Sequence, residues 1–361
     1  MWIVILIVLI VGLAAVLVKV AAPRRPAPQT EPVLPPPAQE DQAEQDPPDE
    51  PVTFSNEEIE QAVHQGFRLS FSVARFDYQI SGEHAAVLES VGKALDESVH
   101  ERDYFPRRPL LLPKLLQAIN DNDSSRQALV RLIMEDPTLT GAVLQRANSA
   151  YHRIAPGPVE SIDRALYLLG TDGLRGLLAE AILLPVFRIP PGYFEDFPNI
   201  TWELAERTSC AAEACAKVNG DVEPIVARLL GLVSVLANIV LFRLTMDKYR
   251  DHPGVLMRAE VFIQAIHQHR ACTASLIAQA WQLSNTSITA FTEQQQQLSP
   301  LQMSSLGRCV YFGDLCGNLA LLSARGAYNQ NLALALLMGQ GADREGARSM
   351  YLSALGHKVG S

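Results

Sequence analysis

Residues Asp136 to Gly170 read DPTLTGAVLQRANSAYHRIAPGPVESIDRALYLLG, and this order of residues decides the fold. Asp136 before Pro137 marks a helix start, because a carboxylate oxygen accepts an orphan amide bond and proline's fixed φ suits the first helical position. Leu139, Val143, Leu144 and Ala147 then recur at three- and four-residue spacing, which gives one apolar stripe on a short helix ending near Asn148 and Ser149. The run Ala155 to Pro158 (APGP) forbids further helix. Ser161 restarts it as an N-cap, Ile162, Ala165, Leu168 and Leu169 supply the next buried face, and Gly170 ends it as a left-handed cap.

The pattern extends on both sides. Upstream, Gln127 to Met134 carries Leu129, Val130, Leu132 and Ile133 into a core. Downstream, the stretches 171–183, 202–217, 222–244 and 259–283 are helical and largely apolar. Residues 301–361 place Gly313, Gly317, Gly326, Gly339 and Gly341 between short apolar runs, which predicts smaller closing helices and a mobile tail. Before the main body, His84 to Val99 reads as helix, and Ser55 with Glu58 makes a capping box for another. Between them Phe67, Leu69, Phe71 and Val73, then Phe76, Tyr78 and Ile80, alternate with polar or small residues. That alternation permits a short strand or hairpin. The body as a whole reads as all-α.

The first residues differ in kind. Trp2 to Val18 carries no charge and holds thirteen Ile, Leu or Val side chains. Extended to Ala22 it reaches about 31 Å as helix, enough to cross a hydrocarbon core. Lys19, Arg24 and Arg25 follow the apolar run instead of preceding it, which favours an uncleaved anchor with everything after Pro23 in the cytoplasm. From Pro23 to Pro51 there are ten prolines, and seven acidic residues fall between Pro26 and Val52 with no Lys or Arg, the composition of an extended, self-repelling tether. The chain therefore divides into an anchor (1–22), a disordered linker (23–52), a helical extension (53–105), a main helical domain (106–300) and a closing segment (301–361).

Charge and cysteine content narrow the function. The formal net charge is −9 in 361 residues, which repels phosphate backbones and makes nucleic acid an unlikely partner. The stretch Ser161 to Leu183 has the outline of a helix-turn-helix, yet its second half is apolar with Arg175 as its one cation, so it belongs in a core. Cys210, Cys215, Cys272, Cys309 and Cys316 contain no CxxC pair, and buried reduced thiols fit them better than a zinc site or a disulfide framework. His267 and His269 are two apart and point to different faces of a helix.

The order Asp136, Pro137, Leu139, Ala147 to Tyr151, Ser161, Ile162, Ala165, Leu169 and Gly170 resembles the HD-related output domain, the HDOD family of bacterial signalling proteins. LLPKLLQAIND, from Leu111 to Asp121, and Trp281 with Gln282 and Leu283 are similar to further family segments, so the resemblance spans roughly Pro106 to Ser284. It implies an HD-type helical bundle. The superfamily behind it includes metal-dependent phosphohydrolases, in which a consecutive His-Asp pair and further His and Asp residues hold metal. The corresponding helix here reads Gly231, Leu232, Val233, Ser234, Val235, and no His-Asp dipeptide occurs in the chain. Serine is a poor ligand and valine is none, so Ser234 and Val235 form a degenerate dyad and no cofactor is expected. Tyr193 lacks the proline that would complete a Gly-Tyr-Pro motif, and His152 reads as a loop residue. Asp136, Asn148 and Ser149 suit capping and turn hydrogen bonds better than catalysis, and Ser161, Gly170 and Trp281 read as structural members of the motif.

The resulting expectation is a non-catalytic signalling module, tethered to the cytoplasmic face of a bacterial inner membrane, that works through a protein partner. The alternatives are a degenerate phosphohydrolase with metal ligands elsewhere and a sensor whose emptied metal site holds a nucleotide without cleaving it.

Overall fold

A helix that is apolar on every side has to be enclosed by others, and Pro224–Arg250 is such a helix. By length and composition it could cross a membrane, but it is almost entirely buried within the protein, so it is the core element around which the rest packs. The computed structural model describes residues 56–72, 77, 79–96, 106–114, 117, 125–135, 137–149, 157–187 and 194–356. These all belong to one compact unit, Asp46–Ser361. The expected anchor and linker lie outside the described residues, as do Leu115, residues 116 and 118–124, Asp136, His152 and Tyr193.

In chain order the helices are α1 Asn56–Ser70, α2 Glu83–Asp96, α3 Ser125–Met134, α4 Pro137–Ala147, α5 Ile162–Leu183, α6 Phe197–Asn219, α7 Pro224–Arg250, α8 Ala259–Ala280, α9 Asn285–Gln295, α10 Ser305–Ser323, α11 Gln330–Gly339 and α12 Arg344–Ala354. No strand occurs among the described residues. Their starts follow ordinary capping rules. Ser161, Ser284, Ser304, Asn329 and Asp343 each accept an amide from the third residue beyond, and Pro198 and Pro224 occupy first-turn positions. Gly220 closes α6 at φ 75°, with its amide donating to Ala216 O.

α6 is gripped between α7 and α10, and glycines set the distance. A Cβ on Gly231 of α7 would stand 2.8 Å from Ser209 Cα; one on Gly317 of α10 would stand 2.9 Å from Thr208 Cα and N, and one on Gly313 would stand 2.9 Å from Ala212 Cβ. Backbones this close leave no room for a side chain between them. Around this trio, α8 lies along α7, α12 along α6, α9 bridges α8 and α10, and α5 joins α3 and α4 to α7.

Two expectations need correction. The alternation at Phe67 to Val73 gives no strand where it is described: Phe67 and Leu69 lie in α1, which runs on to Ser70. Phe67 and Phe71, four residues apart, are both buried, and Phe71 packs at ring-centroid distances of 4.8 Å on Phe197 and 5.0 Å on Phe194. Those long-range contacts with α6 outweigh a local period-two pattern. The segment after Leu301 is also more than a closure. α10 is nearly wholly buried and carries Cys309, Val310, Leu315, Cys316 and Leu319 into the centre, its glycines serving close packing and not mobility.

The glycine seats predict opposite signs for one kind of substitution. Gly317→Ala should destabilise the protein by about 1–3 kcal/mol through overpacking against Thr208. Gly141→Ala in α4, where nothing lies within 4 Å, should stabilise it by up to about 1 kcal/mol. Urea unfolding of both variants checks this.

Candidate functional site

The motif that dominates the sequence turns out to be a clasp. Asn148, just past the end of α4, donates from Nδ2 to Leu144 O at 2.9 Å and to Val159 O at 2.8 Å, while its Oδ1 accepts the Val159 amide at 2.7 Å. Only a side-chain amide carries the donor and acceptor needed to serve both backbone groups of one residue. Asn148 thereby ties α4 to the chain entering α5, where Ser161 Oγ accepts the Arg164 amide at 3.1 Å. Ser149 bonds through its amide to Arg146 O, and its buried hydroxyl finds no partner among the described residues. Pro137 sits exposed at the first position of α4.

Gly170, at φ 72° and ψ −178°, breaks α5 into two segments. After the break, Leu174, Leu177, Leu178 and Glu180 are buried, as befits a core helix. Trp281 is wholly buried and donates from Nε1 to Pro106 O at 2.9 Å, fastening the end of α8 to the start of the main domain.

Three buried charge groups escaped the sequence reading, since none forms a local motif. Arg146 of α4 pairs with Glu206 of α6, which also accepts from Trp202 Nε1 at 2.9 Å, and the Arg146 guanidinium lies 5.1 Å over the Trp202 ring. Arg228 of α7 pairs with both Glu180 of α5 and Glu213 of α6. A Cβ on Gly176 would stand 2.6 Å from Arg228 Cζ, so that glycine makes the guanidinium's room. Burial works to raise the Glu213 pKa, but Arg228 and Lys217 outweigh it and hold the carboxyl below its ordinary value.

The third group surrounds the position where the resemblance places a metal dyad. Ser234 of α7 donates to Asp314 of α10, with Oγ 2.8 Å from Oδ2 and 3.0 Å from Oδ1. Arg270 of α8 places Nη2 3.1 Å from the same Oδ2, and Asn318 donates from Nδ2 to Asp314 O at 2.8 Å. Val235, next to Ser234, is fully buried hydrocarbon. Burial raises the Asp314 pKa, while Arg270 and Ser234 pull it back. A divalent ion needs anionic or imidazole lone pairs aimed at one point. Asp314 has already committed both oxygens to a hydroxyl and a guanidinium, so this donor set does not fit a metal. Among the described residues no group of three or more His, Cys, Asp or Glu side chains is placed to hold one. The His267 ring lies tilted against that of His64 with centroids 4.6 Å apart, whereas His269 lies against Gly92.

The family model for the HDOD domain matches residues 105–297, just over half of the chain. The chain belongs to the HDOD domain family. Its fold is shared by an HDOD domain protein of unknown function from Geobacter sulfurreducens, at TM-score 0.51 and 18% identity over 74% of this chain and 90% of that one. A Shewanella amazonensis protein provisionally named a metal-dependent phosphohydrolase aligns at TM-score 0.50 and 15% identity, over 75% of this chain and 99% of that one. At these identities the likeness is one of fold. No curated protein matches the chain. The HDOD match ends at Gln297, so Asp314, one of the three side chains at the dyad position, comes from beyond the matched segment.

Arg270→Met leaves Asp314 buried without its cation, and the sign of the effect follows from linkage. A carboxyl whose folded pKa is raised supplies stability that is complete below the unfolded value and is lost as pH rises through the folded value. The variant should therefore lose little stability near pH 4 and about 3 kcal/mol near pH 8. Arg270→Met with Asp314→Asn should flatten that dependence. Urea unfolding across this range checks both; a loss of equal size at every pH would contradict the pairing.

Proposed function

We propose that this chain is a non-catalytic HDOD module that binds a protein partner while tethered to the cytoplasmic face of a bacterial inner membrane. The observation that carries the reading is the commitment of Asp314 to Arg270 and Ser234, which occupies with a fixed protein cation the place where a hydrolase of this fold needs an exchangeable one. A guanidinium neutralises a carboxylate as a metal does, but it has no open position for water and does not lower a bound water's pKa. Support for the tether comes from the charge-free apolar run at 2–18, the cations that follow it and the acidic, proline-rich stretch beyond. With chemistry removed from the centre, what such a module has left to offer is surface. This agrees with signalling proteins in which a helical domain of this family serves as an output.

A second reading, a nucleotide-binding sensor, has one observation in its favour. A surface cavity of about 530 Å³ is bordered by Pro106, Arg107, Arg108, Gln279, Trp281 and Gln282, and two guanidinium groups beside two amides suit a phosphate. A nucleotide that binds there should raise the unfolding temperature in a concentration-dependent way, and Arg107→Ala with Arg108→Ala should abolish the shift.

The full chain, purified in detergent and supplied with manganese, should release no product from cyclic dinucleotides or nucleotide phosphoesters. Turnover that is abolished by a chelator would overturn the non-catalytic reading.

A further inference from the structure

The packing of α6 on α10 brings together two cysteines that lie 94 positions apart in the sequence. The helices run antiparallel with a fixed register: Thr208 faces Gly317, Ala212 faces Gly313, and one turn further Cys215 faces Cys309. The glycine contacts already described force the two backbones together over these turns, which is the condition for a disulfide between side chains on facing helices. One amide marks the pair: Asn219 Nδ2 is 3.7 Å from Cys215 Sγ and 3.9 Å from Cys309 Sγ. None of the five cysteines is in a disulfide.

Cys215 is set apart by access. It borders a cavity of about 70 Å³ shared with Asn219, Arg308, Phe312, Asp343 and Met350, whereas Cys309 is fully buried behind it. A water molecule's share of liquid volume is about 30 Å³, so the cavity beside Cys215 has room for a molecule the size of hydrogen peroxide. We infer that Cys215 and Cys309 form a peroxide-responsive dithiol, with Cys215 as the attacking thiolate and Cys309 as the resolving thiol.

The surroundings agree with those roles. The neighbouring Cys309 thiol, with Arg308 and Asn219 assisting, holds the Cys215 pKa below its ordinary value against the effect of burial. Cys309 is pushed up, first by its neighbour Cys215 and then by burial. In the first step the Cys215 thiolate attacks one peroxide oxygen. The S–O bond forms, the O–O bond breaks, the sulfur gives up two electrons, and the second oxygen leaves as hydroxide and becomes water with the proton that Cys215 released on ionising. In the second step Cys309 loses its proton and attacks the Cys215 sulfur; the S–S bond forms and the S–O bond breaks. The departing hydroxide leaves as water with that proton. Two thiols and one peroxide thus give one disulfide and two waters, and thioredoxin-type dithiols supply the electrons for return. The crosslink would fasten α6 to α10 beside the 340–343 turn that leads into α12.

The test uses the full chain in detergent, treated with hydrogen peroxide near stoichiometry, then alkylated and digested without reduction. Two of the five thiols should be lost, the linked peptides should be those of Cys215 and Cys309, and dithiothreitol should restore both thiols. Cys309→Ala should stop at a sulfenic acid on Cys215 that dimedone captures, and Cys215→Ala should leave Cys309 unreacted. Five intact thiols in the peroxide-treated wild type, a crosslink between other cysteines, or a Cys215–Cys309 link that forms only after denaturation would overturn the inference, independently of how the variants fold.

Discussion

A carboxylate at the centre of an apolar helical bundle has to be neutralised, and in this protein the neutralising charge is part of the chain. Asp314 faces Arg270 at 3.1 Å and Ser234 at 2.8 Å, from three different helices. Because that charge is covalently attached to α8, the contact is a crosslink among α7, α8 and α10. The rest of the interior follows the same logic. Arg228 joins α5 to α6 and α7 through two glutamates, and Arg146 joins α4 to α6 through another, so guanidinium groups crosslink the helices at these points as well. Buried pairs of this kind add less to stability than their number implies, but removing one partner is costly.

Close backbone packing is the second constraint, and it acts on α6. Gly231 on one side and Gly313 and Gly317 on the other bring α7 and α10 against it closely enough to exclude a methyl group. The consequences run from stability to chemistry. The seat fixes the register between α6 and α10, and that register sets Cys215 opposite Cys309. It also explains why the C-terminal segment is integral to the bundle.

What could be read from the sequence was what is local. The proline and serine starts, the apolar stripe from Leu139 to Ala147 and the break at Gly170 each depend on a few neighbouring residues, and the structure places them as their spacing implies, whereas of the next stripe Ile162 and Ala165 are buried and Leu168 and Leu169 only half-buried. Asn148 was legible as a turn residue, though its grip on Val159 was not. The Phe67 to Val73 alternation misled because Phe71 is placed by aromatic rings on other helices, none of them near it in sequence. Glycines at 313 and 317 read as loop signals for the same reason: in isolation a glycine marks a turn, while its use for close packing is visible only once the partner helix is known. Ser234 and Val235 could be singled out by the resemblance alone, but Arg270 and Asp314, which the structure sets beside Ser234, carry no motif and are 44 residues apart.

The most direct measurement is anomalous diffraction at the manganese edge from crystals of this protein soaked in manganese. The account predicts no peak within coordination distance of Asp314 and an undisturbed contact between Arg270 and that carboxylate. A manganese ion ligated by Asp314, with the Arg270 side chain turned away, would contradict it.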